Sequence, residues 1–325
     1  MKHRMRFSWK KFAGFIGFNI VFAALLAPFI VFYGPFEALK VMAVGSINTS
    51  RHPQVVRAFL STAQIDQIMH EYEDALGVNT ESHVAVEKVT TDPASGIEIQ
   101  NIQGHAFKGK VMLIKNPKRV KVAVTDQLGV TGERVTDFVK QTGAIAGINA
   151  GGFNDPNGKG NGAFPEGLTV HDGKLVYNSA GNATVHELIG LDSSGKLFIG
   201  PMSASELAAK HIQEAVTFFG PTLVENGKPV VVGDGGIGIA PRTGIGQTAD
   251  GTIILVVIDG RQPTWSWGAT ARDLMNVFLE YHAVNAVNLD GGSSTEMVYQ
   301  GKIINRLWDI FGERYIPTAF VVMPK

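Results

Sequence analysis

Apolar residues along this chain fall into three kinds of run, and each kind predicts a different element. The first is continuous. Phe12 to Tyr33 holds no charged residue, and its length suits a bilayer-spanning helix, which needs about 20 apolar residues. The second kind recurs at helical spacing. Ile65, Ile68, Met69, Tyr72 and Leu76 make one face of a helix that starts at a Ser61–Gln64 capping box and stops at Gly77. Val135, Phe138 and Val139 do the same within Glu133–Gln141, ahead of Gly143. Leu274, Phe278 and Tyr281 follow a Thr270–Asp273 capping box. The third kind is short and does not alternate: Ala144–Ile148, Ile253–Ile258 and Val284–Leu289 read as strands covered on both faces. Val111–Ile114 and Lys121–Thr125 are further strands. Asp172-Gly173 and Asn226-Gly227 mark hairpins.

The segment from Pro241 to Ser294 concentrates these signals. PRTGIGQT, Asp250-Gly251 and TIILVVIDG read as a hairpin closed by a two-residue turn. That register puts Ala249 opposite Thr252 and Arg242 opposite Asp259. Strand, helix and strand then form a crossover unit with parallel strands. Asp259 and Asp290 each follow the last apolar residue of a strand, so both are expected at the carboxyl edge. On adjacent strands their carboxylates would lie roughly 5–10 Å apart, and that edge is where ligands bind in open α/β sheets. Gly291-Gly292-Ser293-Ser294 adds amides and hydroxyls able to hold an anion.

Plainer readings stand beside these. A strand-end arginine pairs with an aspartate without any further role, and Asp-Gly is ordinary turn chemistry. Asn149 with the two aspartates is the alternative, a metal set of oxygen ligands. Gly233–Gly238 spells GxGxxG, yet Pro241 and a strand follow it where a dinucleotide site needs a helix. The histidines form no HxH or HExxH, and no Gly-x-Ser-x-Gly elbow occurs. Trp265 and Trp267, in the loop after Asp259, either stack on sugar faces or pack beneath the loop.

Composition changes the picture in two places. Lysine plus arginine equal aspartate plus glutamate at 29 each, so net charge gives no reason to expect nucleic acid. Cysteine is absent, which removes thiolate sites, disulfides and a cysteine nucleophile. Lys2, Arg4, Arg6, Lys10 and Lys11 precede the apolar run, and positive charge there predicts a cytoplasmic N-terminus with a translocated body. A cleaved signal peptide is the competing reading, but the apolar run exceeds the usual 7–15-residue core. The expected organisation is a basic tail (1–11), an anchor (12–34), a linker and stalk helix (35–83), with Gly45 to Pro53 as the polar linker, and one globular domain (84–325). The fold class is α+β: a single mixed-sheet domain with packed helices. A homo-oligomer through the stalk is compatible with this layout.

INAGGF (148–153), FPEGLTVHDGKLV (164–176), GPTLVENGKPV (220–230), PRTGIG (241–246), VVIDGR (256–261), NLDGGSS (288–294) and ERYIPTAFVV (313–322) resemble, in that order, the phosphodiester glycosidase family. The resemblance covers roughly residues 84–322. It implies hydrolysis of a sugar-1-phosphodiester that releases the sugar and leaves a phosphomonoester; bacterial relatives are linked to exopolysaccharide metabolism. Carried over by motif, the functional positions are Asn149, Gly152, Arg242, Asp259, Asp290, Gly291, Ser293 and Arg314. The chain departs from the family at Asn154, where an aromatic is usual, and around Glu296. The resulting expectation gives Asp290 and Asp259 the catalytic carboxylate work. Arg242, Arg314 and the Gly291–Ser294 segment, with Ser294, bind the phosphodiester, and no cofactor is predicted. A non-catalytic polysaccharide assembly factor and a glycosidase of ordinary polysaccharides are the alternatives.

Overall fold

The continuous apolar run forms helix α1 (Trp9–Tyr33), long and apolar enough to cross a membrane. Its side chains point outward, with Phe15, Phe18 and Leu25 about two-thirds exposed, as expected of a helix that is hydrophobic all round. Asn19 inside it donates to the Phe15 carbonyl at 2.7 Å, so this polar side chain is satisfied within the helix. The structure, a computed structural model, describes residues 8–48, 54–75, 85–92, 96–155, 160–309 and 312–325. The chain divides into two units, Met1–Ala75 and Leu76–Lys325.

Within the first unit, α2 (Glu37–Asn48) occupies part of the stretch expected to be a linker. Val41 and Val44 are buried, and α2 packs on α4 (Thr62–Ala75), whose Ile65 and Ile68 are buried too. That apolar contact outweighs the roughly 1 kcal/mol that Gly45 costs a helix. A short α3 (Gln54–Arg57) lies between them. The Ser61–Gln64 capping box forms: Ser61 N–H donates to Gln64 Oε1 at 3.0 Å, and Gln64 N–H to Ser61 Oγ at 3.4 Å. The expected cap at Gly77, the rest of the linker (49–53) and the domain boundary near 84 lie outside the described residues.

The second unit is α+β and built from three sheets. The largest runs, edge to edge, β1 (Ala85–Asp92), β2 (Ile97–Gln103), β3 (Lys108–Ile114), β14 (Ile253–Ile258), β13 (Arg242–Thr248), β15 (Ala283–Asn288), β11 (Thr222–Glu225) and β12 (Lys228–Pro229). A second sheet holds β7 (Lys174–Asn178), β6 (Leu168–His171), β10 (Ile212–Thr217), β8 (Val185–Asp192) and β9 (Leu197–Ser203). A third holds β17 (Lys302–Ile303), β16 (Met297–Tyr299), β5 (Ala146–Asn149), β18 (Thr318–Val322) and β4 (Val120–Val124). The main core fills the space between the large sheet and the other two, with Leu255, Val257 and Met112 meeting Ile148, Phe320, Ile189 and Val216. Helix α6 (Ala271–Glu280) covers the opposite face of the large sheet through Leu274, Val277 and Phe278. Helix α5 (Val135–Thr142) covers the third sheet through Val135, Phe138 and Val139 and ends at Gly143 in the left-handed region.

Two expectations about the central strands need correction. β14 and β15 do run in the same direction, but β13 lies between them and pairs antiparallel with both. Two inter-strand spacings, about 10 Å, therefore separate the strands that carry Asp259 and Asp290. The hairpin register also differs by one residue. Arg242 pairs with Ile258 and Gln247 with Ile253, because the turn contains three residues. Only Gly251 has positive φ, at +89°, whereas a two-residue type I′ turn needs it at both centres. Asp250 closes the loop instead, its Oδ1 accepting from Thr252 N–H at 3.1 Å and from the Thr248 hydroxyl. At Asp172-Gly173 and Asn226-Gly227 both residues do have positive φ, and the two-residue turns form as expected. With a side-chain period of two, a single-residue slip moves Arg242 and Asp259 to opposite faces of the sheet.

Candidate active site

Asp290 emerges where β15 ends, and its surroundings are assembled from three distant segments. Asn149, the last residue of β5, donates from Nδ2 to the Asp290 carbonyl at 2.6 Å. Its Oδ1 accepts from Thr243 Oγ1 at 2.8 Å and from Glu296 N–H at 3.2 Å. Asn149 thus ties β5, β13 and β15 together and fixes the backbone of Asp290. The Ser294 hydroxyl and the Gly291 N–H bond the Asp290 carboxylate, while its Oδ2 is enclosed with no hydrogen-bond partner. Burial raises the Asp290 pKa to about 6, against the pull of the Ser294 bond and the nearby charge of Arg314; the charge of Glu166 pushes it up.

Glycine makes room for that second carboxylate. A Cβ on Gly152 would lie 2.5 Å from Glu166 Oε2 and 3.1 Å from the Phe218 ring. The backbone keeps the pair in register, Glu166 N–H donating to the Gly152 carbonyl at 2.9 Å. Arg314 comes from the loop before β18. Its Nη1 donates to Ser293 Oγ at 2.9 Å, its Nη2 lies 2.6 Å from Asp155 Oδ2, and its guanidinium sits 5.1 Å from the Phe153 ring centroid. Gly292 has φ +63° and faces the guanidinium of Arg261, which would lie 3.5 Å from a Cβ placed there. The Gly291–Ser294 segment is therefore flanked by two guanidinium groups, a setting suited to an oxyanion.

Arg242 lies at the same end of the sheet, since Gly292 N–H donates to the Pro241 carbonyl at 2.8 Å. Its buried guanidinium is directed elsewhere. Nε donates to the Ala269 carbonyl at 2.9 Å, and Nη2 to the carbonyls of Ile237, at 2.7 Å, and Gly238. The Gly233–Gly238 loop is thereby clamped to the start of α6, where the Thr270–Asp273 capping box forms. The expected Arg242–Asp259 pairing is absent among the described contacts, a direct result of the one-residue register difference.

Asp259 has its own company. Trp265 Nε1 donates to Oδ2 at 2.7 Å, and Oδ1 accepts from Arg306 N–H at 3.0 Å and Asn305 Nδ2 at 3.2 Å. Burial still raises its pKa. These partners are different from those of Asp290, and they line a cavity of about 550 Å³ that also includes Lys108 and Lys110. Asn149, Asp259 and Asp290 do not converge as a metal set, because β13 separates the strands that carry the two aspartates and Asp259 sits among different partners. Among the described residues, the group with metal-ligand spacing is His171, Asp172 and Glu214, with ligand atoms within 4.8 Å of one another. Lys121 Nζ sits 2.8 Å from Asp172 and 2.9 Å from Glu214, so an ammonium already competes for the place a cation would take.

Sequence reasoning missed Glu166, Arg261 and Asp155. Glu166 and Arg261 stand inside the motifs FPEG and DGR, yet nothing local distinguishes them; only the fold brings them to Asp290.

Comparison with known proteins bears on the family and the fold. Residues 142–323 match the family model described as phosphodiester glycosidase. A curated relative, the SPbeta prophage-derived uncharacterized protein YomE of Bacillus subtilis strain 168, is 30% identical over 200 residues, 59% of this chain; the match spans 30% of that protein's length. Among solved structures, the catalytic domain of zebrafish N-acetylglucosamine-1-phosphodiester α-N-acetylglucosaminidase, auto-inhibited by its pro-peptide, superposes with a TM-score of 0.58. It is 20% identical, covering 75% of this chain and 83% of that one. A hypothetical protein from Synechocystis superposes with a TM-score of 0.53 at 15% identity, covering 74% and 64%.

Proposed function

This chain belongs to the phosphodiester glycosidase family, and from that premise we propose that it hydrolyses a sugar-1-phosphodiester at the carboxylate pair Asp290 and Glu166. The carrying observation is the enclosed, unpartnered Oδ2 of Asp290 beside Arg314 and a second carboxylate. A buried acceptor without a partner costs about 1–3 kcal/mol, and a role in chemistry explains its retention. Asp290 supplies the carboxylate that attacks the anomeric carbon directly or deprotonates the attacking water. The C1–O bond breaks, and the phosphomonoester leaves with the bonding electron pair. Arg314, Arg261 and the Gly291–Ser294 amides and hydroxyls take up its charge. In the direct attack, Glu166 takes the proton of the water that then displaces Asp290 from C1; in the other course Asp290 itself takes the water's proton. Asn149 and Gly152 position this machinery: one holds the Asp290 backbone and the other admits Glu166. Arg242 acts at one remove by fixing the glycine loop and the start of α6.

The second carboxylate of the sequence reading, Asp259, holds the Trp265 indole, the Asn305 side chain and the Arg306 backbone instead. Replacing Asp290 with Asn tests the assignment. Sugar release from a chromogenic sugar-1-phosphodiester should fall by at least about 1,000-fold, with a far-ultraviolet spectrum unchanged. Retention of more than a tenth of the activity would remove Asp290 from the mechanism.

For the setting of this reaction, α1 supports a single-pass anchor with the basic tail in the cytoplasm and residues 76–325 outside the membrane. An extracytoplasmic glycosidase tethered in this way suits substrates of the cell envelope or of exopolysaccharide. Protease protection in membrane vesicles checks the orientation: the tail should be cut from the cytoplasmic side only.

A further inference from the structure

The cavity around Asp259 is not used by the reaction above, and its construction is that of a binding site. Three strands of the large sheet supply one wall. Asn101 pairs with Lys110, Gln103 with Lys108, and Asp259 N–H donates to the Lys108 carbonyl. Alternation along β2, β3 and β14 therefore puts Asn101, Gln103, Lys108, Lys110 and Asp259 on one face. The loop segments supply the other wall through Trp265, Asn305 and Arg306. At about 550 Å³ the space is in the range of small-molecule sites.

Charge points to the class of ligand. Among the described residues, three cations, Lys108, Lys110 and Arg306, line this space against one carboxylate, and none of the three is in an ion pair. Lys108 and Arg306 rest on the Trp265 ring, 4.1 Å and 5.5 Å from its centroid. Lys110 donates to the Asn101 side chain. Its pKa is lowered because burial outweighs the attraction of Asp259. Asp259, the one carboxylate lining this space, attracts Lys110 but can offset only one of the three charges. An incoming anion would restore the balance. The remaining lining, planar amides from Asn101, Gln103 and Asn305 with the part-exposed Trp265, is the chemistry that recognises hydroxyl groups and the apolar face of a sugar ring.

We propose that this cavity is a second, non-catalytic binding site for an anionic sugar unit, a sugar bearing a carboxylate or phosphate. Lys108, Lys110 and Arg306 bind its charge, and Asn101, Gln103, Asn305 and Trp265 bind its ring. Four of these residues lie on β2 and β3, before the family-matched segment at 142–323, and three lie within it. The site stands independently of the hydrolysis reading. Such a site would hold a charged polysaccharide chain on this unit.

Isothermal titration of the full chain in detergent micelles with D-glucuronate, a probe without phosphate, tests this. Glucuronate should bind at least tenfold more tightly than D-glucose and than acetate. Lys110→Gln should weaken it about tenfold, about 1.4 kcal/mol, and Arg306→Gln, which leaves the Arg306 backbone bond in place, should act likewise. Asp290→Asn should leave it unchanged. Acetate binding as tightly as glucuronate would reduce the site to simple ion pairing and overturn the sugar assignment. Undiminished binding in both cation variants, or loss in Asp290→Asn alone, would place the ligand elsewhere and overturn the site.

Discussion

Asp290 and Glu296 are six residues apart, and burial raises the pKa of both, with different consequences. Asp290 works as a base or nucleophile in its ionised form, and its pKa is about 6. Turnover should therefore rise with pH through about 6, a limb that a kcat/KM profile will show. Arg314 holds that value down, so Arg314→Gln should move the limb upward and raise KM for a charged diester about tenfold, more than it lowers kcat. Glu296 is enclosed against Glu313, which caps α5 through Thr136 N–H at 3.1 Å, and its pKa is pushed up to about 10. The folded state then binds a proton that the unfolded chain releases above its ordinary pKa of about 4.3. Stability falls as pH rises from there toward 10. Glu296→Gln keeps the donor to Glu313 and removes the titration. Its melting temperature should exceed that of the parent at pH 8 by a few degrees, on the order of 1–2 kcal/mol, and match it near pH 4.

At the scale of elements, the hairpin β13–β14 decides which side chains meet. One more residue in its turn separates Arg242 from Asp259 and leaves each with backbone or loop partners. The β5 end shows the opposite effect, since two glycines and Asn149 draw segments together that are remote in sequence. Gly152→Ala tests that closeness. The added methyl meets the mobile end of Glu166 and the edge of Phe218, so the fold should survive with a loss of about 1–2 kcal/mol. Sugar release should drop at least tenfold as Glu166 is displaced. An unchanged rate would separate Glu166 from the chemistry.

At the scale of the molecule, the chain is an apolar N-terminal helix with a small helical unit, followed by an α+β unit that contains both Asp290 and the basic cavity. Deleting residues 1–33 should move the protein from the membrane to the soluble fraction, and fractionation followed by an activity assay will measure it. Turnover per molecule on a soluble diester should stay within about twofold, because no residue assigned to the reaction lies there.

Periodicity and capping depend on neighbours within a few residues, which is why α4, α5, α6, the buried strands and the ends at which Asn149 and Asp290 sit were legible in the sequence. The motif order likewise carried the family. The identity of the partner carboxylate was not legible. Local pattern cannot tell a two-residue turn from a three-residue one at Asp-Gly, and it cannot insert β13 between β14 and β15. Strand order and register are long-range choices, set by which apolar faces the sheets and α6 bury together. Those choices sent Asp259 into a basic cavity and brought Glu166, Arg261 and Arg314 to Asp290.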